Sequence, residues 1–291
     1  MKEIAIIGST ASGKTALSLE IASKTNAVIL SLDSLCVYKE IEIASAKPTL
    51  KERGEIIHFG IDKVYPNEEF DVVKFIELYK KAKEYAIKNK KNLIIVGGTG
   101  FYLKALIDGL SKGIDSKIKL DISQLEAYEL LYSIDKEYMQ RIEKNDRYRI
   151  EKAYAIYKQT SLGPTQYFQK NPKIAVAKDL KIFEILWDKE ELKNRILKRT
   201  KIMINSGIID EVIFLEKKYT REPNSMSSIG IIETLEYLDG KLTKQELEEK
   251  ISANTAKLAK RQNTFNKGQF LDKTSNIIEN LNSDIIKYFS L

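Results

Sequence analysis

The sequence predicts an α/β fold, a parallel sheet with helices on both faces, interrupted by an all-helical insertion. Short apolar runs with the length of buried strands begin at Ile4, Ala27 and Leu93 and alternate with helical patterns. This alternation stops near Ser111 and resumes with a further strand at Leu180. We therefore expect a core domain built from residues 1–111 and 175–291, with a helical domain inserted over residues 112–174.

Composition narrows the class of protein before any motif is considered. The 291 residues carry a net charge of +7, which favours an anionic partner but also suits a plain lysine-rich surface. The one cysteine, Cys36, excludes an internal disulfide and a cysteine-based zinc site, and the one histidine, His58, is expected to be packed rather than catalytic. No signal peptide, lipidation motif or long apolar run is found, so we expect a cytoplasmic protein without membrane contact.

The first strand leads directly into the most specific motif of the chain. A glycine-rich segment follows the run at Ile4, and a helical pattern with Leu17 and Ile21 on one face comes next. Strand, loop and helix in this order identify a phosphate loop (P-loop) and a fold like that of the P-loop NTPases. In such a loop, backbone N–H groups and a lysine surround a diphosphate while a threonine hydroxyl binds Mg²⁺. The loop consists of Gly8, Ser9, Thr10, Ala11, Ser12, Gly13, Lys14 and Thr15.

A carboxylate follows the second strand. The run Ala27–Ser31 ends just before Asp33, and ligands of open α/β sheets bind beyond the carboxyl ends of the strands. We expect this strand to lie next to the P-loop strand, which would place Asp33 beside a bound phosphate; capping of a helix is the structural alternative. Further on, Lys47 precedes a proline in a polar loop and would either reach the same site or be solvated.

A second glycine-rich loop follows the third apolar run. Residues 71–90 predict an amphipathic helix with its aromatic side chains in the core, and the strand beginning at Leu93 comes after it. Gly97 and Gly98 then allow the backbone to approach a ligand closely. Thr99 is expected to face the same cleft as Asp33.

Two basic surfaces could contact a nucleic acid. Residues 141–152 of the insertion mix arginine, lysine and tyrosine, a composition more typical of a solvated face but also suited to a phosphate backbone. A capping box at residues 243–246 predicts the start of a long helix that carries Lys257, Lys260 and Arg261. Either surface, taken alone, is more often simply solvated.

A third group of basic residues follows the strand at Leu180. Arg195 and Arg199 share one helical face and would either neutralise charge on a transferring phosphoryl group or pair with Asp188 and Glu190. The residues alone leave two classes open. One is a kinase that uses a nucleoside triphosphate, and the other is a transferase with a diphosphate ester as donor and a larger anionic acceptor.

Six ordered motifs are together far more specific than the P-loop alone. They are Gly8–Thr15, Asp33–Tyr38, Ile43–Pro48, Val96–Tyr102, the pair Asn145-Asp146 with Arg149, and Ala259–Gln262. With these motifs the chain resembles the tRNA dimethylallyltransferases, also called tRNA isopentenyltransferases, over almost its entire length. It departs from the family pattern at three places. Cys36 stands where the family has glutamine, Lys152 replaces a second arginine, and Ile231-Ile232 replaces a tyrosine and a basic residue.

The resemblance implies Mg²⁺-dependent transfer of a dimethylallyl group from its diphosphate to N6 of the adenosine on the 3′ side of a tRNA anticodon. It implies catalytic roles for Asp33, as general base, and for Thr10 and Lys14, with the P-loop holding the diphosphate and Thr15 the Mg²⁺. The tRNA-binding residues that it implies are Asp33, Ser34, Leu35, Cys36, Thr99, Arg149, Lys152, Lys260 and Arg261. The implied partners are the anticodon stem-loop of tRNA and dimethylallyl diphosphate, with no obligate protein partner.

Three alternatives remain beside this interpretation. A relative that prenylates free adenine nucleotides or an ATP-binding small-molecule kinase would share the P-loop, but neither needs the inserted domain to hold an RNA stem. An RNA-binding module gated by a nucleotide, without enzymatic activity, would not need the carboxylate of Asp33.

Overall fold

The computed structural model describes residues 1–114 and 118–290, which form two compact units. The core unit consists of Met1–Lys104 and Ala177–Leu291, and the helical unit consists of Ala105–Val176. The sequence pattern suggested boundaries at 111/112 and 174/175. The structure divides the chain at 104/105 and 176/177, so the first boundary differs by several residues. The reason is local, because the N–H of Val176 donates to the carbonyl of Leu106 at 2.9 Å and thereby joins the two ends of the helical unit.

A six-stranded sheet forms the centre of the core unit. All of its strand pairs are parallel, which confirms the predicted α/β fold. The strands are β1 (Glu3–Ile7), β2 (Ala27–Ser31), β3 (His58–Phe59), β4 (Asn92–Val96), β5 (Lys181–Ile185) and β6 (Thr274–Asn276). Their spatial order is β3-β2-β4-β1-β5-β6.

The expectation that β2 lies next to β1 is wrong. Strand β4 lies between them, with Ile94 opposite Ile4 on one side and opposite Ile29 on the other. Because β1, β2 and β4 have the same continuous apolar character, the sequence offers no signal for which of them is central. The two edge strands β3 and β6 went unrecognised, since they have only two and three residues and lack an apolar run.

Helices cover both faces of the sheet. On one face, α1 and α13 bury Leu17, Ile21 and Leu281, and on the other α3 buries Phe75 and Tyr79. Asp71 caps α3, and α12 begins with the capping box at Thr243 that the sequence predicted. The helices of the core unit are α1 (Lys14–Thr25), α2 (Leu50–Arg53), α3 (Val72–Lys88), α9 (Lys189–Asn205), α10 (Ile208–Tyr219), α11 (Ile231–Leu238), α12 (Lys244–Gln269) and α13 (Ile278–Ser290), with a 3₁₀ turn at Asn224–Ser227; α4 (Gly100–Asp108) crosses into the helical unit.

The described part of the helical unit contains helices and no strand. Its own small core packs Leu131, Met139, Ile150 and Tyr154 together. Asp135 caps α6 through the N–H of Tyr138 and also accepts from the N–H and hydroxyl of Thr165 at 2.6 and 2.9 Å. The helices are α5 (Gln124–Ile134), α6 (Lys136–Met139), α7 (Arg147–Thr160) and α8 (Pro164–Lys170).

One carboxylate fixes the loop that follows β2. The side chain of Glu211 on α10 accepts from three successive backbone N–H groups, those of Glu42 and Ile43 at 2.7 Å and that of Ala44 at 2.9 Å. Hydrogen bonds to a charged acceptor are stronger than those to a neutral one. Residues 42–49 are thereby held against the core, where they form a wall of the cavity beside the P-loop.

We expect Glu211→Ala to lower the free energy of unfolding by about 2–3 kcal/mol, because three N–H groups lose a charged acceptor. Glu211→Gln, which retains one carbonyl oxygen, should lose less. Chemical denaturation measures both, with Glu222→Ala as the control, since the exposed Glu222 carboxylate has no hydrogen bond among the described residues. Equal stability of Glu211→Ala and the control would show that this anchor is unimportant.

Candidate active site

The P-loop has the backbone that its sequence predicts. Gly13 begins α1 with φ of 88°, and Ala11 also has a positive φ of 63°. A Cβ at Gly8 would lie 3.0 Å from Ser12 Oγ and 3.1 Å from the carbonyl of Ile185, so a side chain there would be crowded as well as strained by the φ of 153°. The first N–H groups of α1 have no acceptor within the helix, and together with the positive end of the helix dipole they form a site for an anion.

Lys14 bends back over this loop. Its ammonium donates to the carbonyl of Ser9 at 2.6 Å and lies 3.5 Å from Ser12 Oγ. Burial, together with the charge of the nearby Arg199, lowers the pKa of Lys14 to about 8, although the charge of Asp33 opposes the shift. An anion bound by the loop would favour the charged form of the lysine.

Two residues that follow β5, Trp187 in the connecting segment and Arg195 on α9, hold the P-loop from the other side. Arg195 Nε donates to the carbonyl of Ala11 at 2.7 Å, and its guanidinium stacks 4.3 Å from the centre of the Trp187 ring. The indole N–H of Trp187 donates to the carbonyl of Ser12 at 2.8 Å.

Arg199, one turn further along α9, reaches the hydroxyl of Thr10 at 3.3 Å. Burial lowers the pKa of Arg199, and the charge of Asp33 counteracts it. Two hypotheses were open for Arg195 and Arg199, and their positions agree with the one that places them at the phosphate site. Asp188 instead caps α9, and Glu190 lies 4.0 Å from Lys193.

Gln262 on α12 links the P-loop to the glycine loop after β4. Its carbonyl oxygen accepts from the N–H of Thr10 at 2.7 Å, and its amide nitrogen donates to the carbonyl of Gly98 at 3.0 Å. A Cβ at Gly98 would lie 2.4 Å from that nitrogen, so this contact requires glycine. Gln262 belongs to the motif Ala259–Gln262, which by itself predicts no role for this side chain. Its i,i+4 spacing from Leu258 places both residues on the face of α12 that lines the cavities.

Asp33 uses only one of its two carboxylate oxygens to hold the backbone. Its Oδ1 accepts from the N–H groups of Leu35 and Cys36 at 2.8 and 3.2 Å and so caps a turn rather than a helix. Its Oδ2 has no hydrogen bond among the described residues. The neighbouring N–H of Ser34 donates to Thr99 Oγ1 at 3.2 Å, which brings the two predicted residues Asp33 and Thr99 to one cleft.

Three cavities follow one another across this site. The Asp33 cavity has about 500 Å³, the inner cavity about 110 Å³ and the P-loop cavity about 910 Å³. Thr10, Asp33, Arg199 and Gln262 line both the Asp33 cavity and the inner cavity. Lys14, Thr15 and Arg199 line both the inner cavity and the P-loop cavity, which has Ala11, Ser12 and Gly13 in its wall. The shared wall residues show that the three cavities adjoin one another from the P-loop to Asp33, and we refer to this row of adjoining cavities as the path.

The other residues of the second motif lie along this path. Ser34 and Leu35 line the Asp33 cavity, whereas Cys36 lines the inner cavity. The buried Cys36 thiol lies 3.8 Å from the carbonyl of Ser45, and burial raises its pKa well above the usual value.

The predicted basic residues are not part of the path. Lys260 and Arg261 are exposed on α12, and only their neighbours Leu258 and Gln262 reach the cavities. In the helical unit, Arg149 is exposed and pairs with Asp146 at 2.6 Å, while the Lys152 ammonium lies 5.6 Å from the centre of the exposed Tyr148 ring.

Lys47 lines the P-loop cavity, as one of the two alternatives for it expected, and is not solvated, although its ammonium is held by protein groups. Its side chain is 1% exposed, and its ammonium is bound by Asp62, by Glu42 at 2.9 Å and by the carbonyl of Tyr38 at 3.0 Å. Of the pair that departs from the family pattern, Ile231 is in the core, Ile232 is 43% exposed, and neither lines a cavity.

A metal at this site would have to bind through few protein ligands. Within residues 1–114 and 118–290, no group of three or more His, Cys, Asp or Glu side chains is arranged to hold an ion. Thr15 is exposed at the start of α1 and lines the P-loop cavity. None of the described helices is long and apolar enough to cross a membrane.

In this P-loop fold, two arginines of α9 contact the loop, and a carboxylate lies at the far end of the same path. This arrangement defines the class of P-loop transferases that act on phosphate esters. Comparison with known sequences places the chain within it. The model of the IPP transferase family matches residues 36–269, more than half of the chain. The chain belongs to the IPP transferase family.

Relatives cover the full length of the chain. The tRNA dimethylallyltransferase of Aliarcobacter butzleri is 81% identical over 291 residues, covering 100% of both chains. That of Sulfurimonas denitrificans is 52% identical over 98% of both. Among solved structures, the tRNA delta(2)-isopentenylpyrophosphate transferase of Staphylococcus epidermidis is 29% identical, with a TM-score of 0.73 over 100% of this chain and 99% of that one. A eukaryotic dimethylallyltransferase acting on tRNA is 28% identical, with a TM-score of 0.83 over 96% of this chain and 74% of that one.

The lowered pKa of Lys14 predicts how stability changes with pH. Between about pH 8 and pH 10.5 the unfolded chain still binds the proton that the folded chain has released, so folding becomes more favourable as pH rises. The free energy of unfolding of the parent should therefore rise relative to Lys14→Met across this range. Denaturation at a series of pH values measures the difference, with Lys24→Met on the exposed side of α1 as the control for the removal of a charge. A parent-to-variant difference that stays constant from pH 8 to 10.5 would contradict the shift.

Proposed function

We propose that this chain transfers a dimethylallyl group from dimethylallyl diphosphate to N6 of the adenosine adjacent to the anticodon of tRNA on its 3′ side. One observation carries the proposal: a single path joins a diphosphate-binding loop to a carboxylate that has one oxygen free. A donor with its diphosphate in the P-loop would point its carbon chain through the inner cavity towards Asp33. An acceptor entering the Asp33 cavity would meet it there.

The P-loop end suits a leaving diphosphate. As the carbon–oxygen bond of the allylic ester breaks, negative charge accumulates on the diphosphate, and the N–H groups at the start of α1, Lys14 and Arg199 stabilise it. Thr10 takes part by positioning Arg199 through its hydroxyl. The exposed hydroxyl of Thr15 fits Mg²⁺, which favours oxygen ligands and usually binds through substrate phosphates and water with few protein ligands. When bound, the ion would supply further charge stabilisation to the leaving group.

The Asp33 end suits an exocyclic amine. The adenine amine is a poor nucleophile, so a base has to take its proton as the new nitrogen–carbon bond forms. Asp33 Oδ2 is available for this role because Oδ1 alone holds the turn. A base in the anticodon loop has to leave its stack to enter a cavity, and the walls formed by Ser34, Leu35 and Thr99 offer contacts that offset part of that cost.

The remaining basic residues are proposed to contact the tRNA backbone. Arg149 and Lys152 on α7, beside the exposed Tyr148, combine cations with an aromatic ring, and Lys260 and Arg261 present two exposed cations on α12. We assign the protein to the cytoplasm because its acceptor is tRNA. A donor enclosed between Lys14 and Asp33 leaves no role for ATP as a phosphate donor.

The decisive experiment combines the reaction with a substitution at Asp33. Labelled dimethylallyl diphosphate, Mg²⁺ and unmodified tRNA should give labelled RNA without consumption of ATP, and free AMP should not replace tRNA. In Asp33→Asn the side-chain carbonyl can still hold the turn, but the free oxygen and its basicity are removed. We expect turnover to fall about a hundredfold or more, with tRNA affinity within a few-fold of the parent.

Asp33→Ala provides the comparison, because it removes the turn contact as well. A stability loss in the alanine variant that is absent from Asp33→Asn would separate the two oxygens. A normal rate in Asp33→Asn would exclude this carboxylate as the base, whereas weak tRNA binding with a normal rate on saturating tRNA would make it a positioning residue.

The proposed backbone contacts predict a change in salt dependence. Replacing Arg149 and Lys152 with alanine should weaken tRNA binding and reduce the slope of log affinity against log salt by about one for each phosphate group that the variant no longer binds. The affinity for dimethylallyl diphosphate should not change. Lys136→Ala with Lys170→Ala, which removes two exposed positive charges from the same unit outside residues 141–152, is the control. A slope in the Arg149 and Lys152 variant equal to that of the parent would return residues 141–152 to a solvated face.

A further inference from the structure

The inner cavity differs from its two neighbours in size. It is the smallest of the three, and its wall combines polar residues with buried apolar side chains, those of Ile29, Ile61 and Val96 among them. It lies between the P-loop and Asp33, because Lys14 and Thr15 line it at one side and Asp33 at the other. A donor whose diphosphate is held by the P-loop therefore has its carbon chain here.

Strand register shows which residues form the bottom of this cavity. Ser31 pairs with Val96 at the carboxyl ends of β2 and β4, next to the ligand-binding edge. Ile29 points to the same side as Ser31 but lies two residues earlier, about 6.6 Å deeper in the sheet. Its partner on β3 is His58. Both Ile29 and His58 line the cavity, so this pair forms its deepest layer.

The size of the cavity suits a short carbon chain. Its volume is about 110 Å³. A dry apolar cavity of about 150 Å³ in another protein binds benzene, which has six carbons. A five-carbon group therefore fits within the inner cavity, whereas a ten-carbon group needs more space than this cavity offers.

His58 is suited to be part of an apolar wall. Its Nδ1 lies 2.7 Å from the carbonyl of Ile56, which fixes the proton on that nitrogen in the neutral ring. Burial lowers the pKa of His58, as does the charge of Arg53, so the ring is neutral at pH 7. Because β3 is an edge strand and His58 is only half-buried, removing the imidazole would extend the cavity towards the edge of the sheet.

We propose that Ile29 and His58 set the chain length of the donor, restricting it to five carbons by closing the bottom of the inner cavity. This inference rests on the proposed function. Both residues act by occupying space, and neither takes part in the transfer of the group or of the proton. The restriction on the donor is separate from recognition of tRNA, which takes place beyond Asp33.

The test uses geranyl diphosphate, which has ten carbons, as the probe. The ratio of kcat/KM for geranyl diphosphate to that for dimethylallyl diphosphate is measured on unmodified tRNA with the parent, His58→Gly and Ile29→Ala. Ile94→Ala is the matched control, because Ile94 is as buried as Ile29, pairs with it and packs in the same cluster, but lines none of the three cavities. A ratio is unaffected by any loss of folded enzyme, since both donors meet the same sample.

We expect the ratio to rise about tenfold or more in His58→Gly and Ile29→Ala and to stay at the parent value in Ile94→Ala. An unchanged ratio in the first two variants, or an equal rise in Ile94→Ala, would overturn the inference. A parent that transfers nothing from dimethylallyl diphosphate would instead refute the proposed function, so the two failures are distinguishable.

Discussion

The site depends on one constraint, that the P-loop backbone be held open with its N–H groups directed inward. The loop does not achieve this alone. Three side chains distant in sequence bind its backbone: Trp187 and Arg195 hold the carbonyls of Ser12 and Ala11, and Gln262 holds the N–H of Thr10. Each of these bonds satisfies a polar backbone group in a partly enclosed place, where an unpaired one would be costly. The anion site is thus a property of the whole core unit.

Gln262 also helps to fix the position of the donor end of the path relative to the acceptor end. Its amide joins Thr10 of the P-loop to Gly98, and the next residue, Thr99, receives the N–H of Ser34 beside Asp33. A chain of three hydrogen bonds therefore runs from the loop that would hold the leaving group to the turn that carries the base. Reactions of this kind depend on the alignment of the reacting atoms, and a rigid connection between the two ends preserves it.

The sequence was most informative where structure is local. The P-loop, the capping box at Thr243 and the parallel α/β fold depend on residues close together in the chain, and the structure confirms them. Strand order was predicted wrongly, because β4 and β2 have indistinguishable apolar runs. The role of Gln262 depends on partners far along the chain, and spacing alone does not reveal such partners. The same limit applies to Arg195 and Arg199, because only the contacts of α9 with the P-loop distinguish the two hypotheses for them.

The distance in sequence between the P-loop and the residues that hold it affects the order in which the site forms during synthesis. Chains emerge from the ribosome N-terminus first, at roughly 5–20 residues per second. The loop at residues 8–15 is made before the side chains from α9 and α12 that bind it, which lie beyond the insertion at positions 195 and 262. The helical unit is complete before either side chain has been added. A nascent chain therefore carries an unfinished anion site until α9 and α12 have left the ribosome.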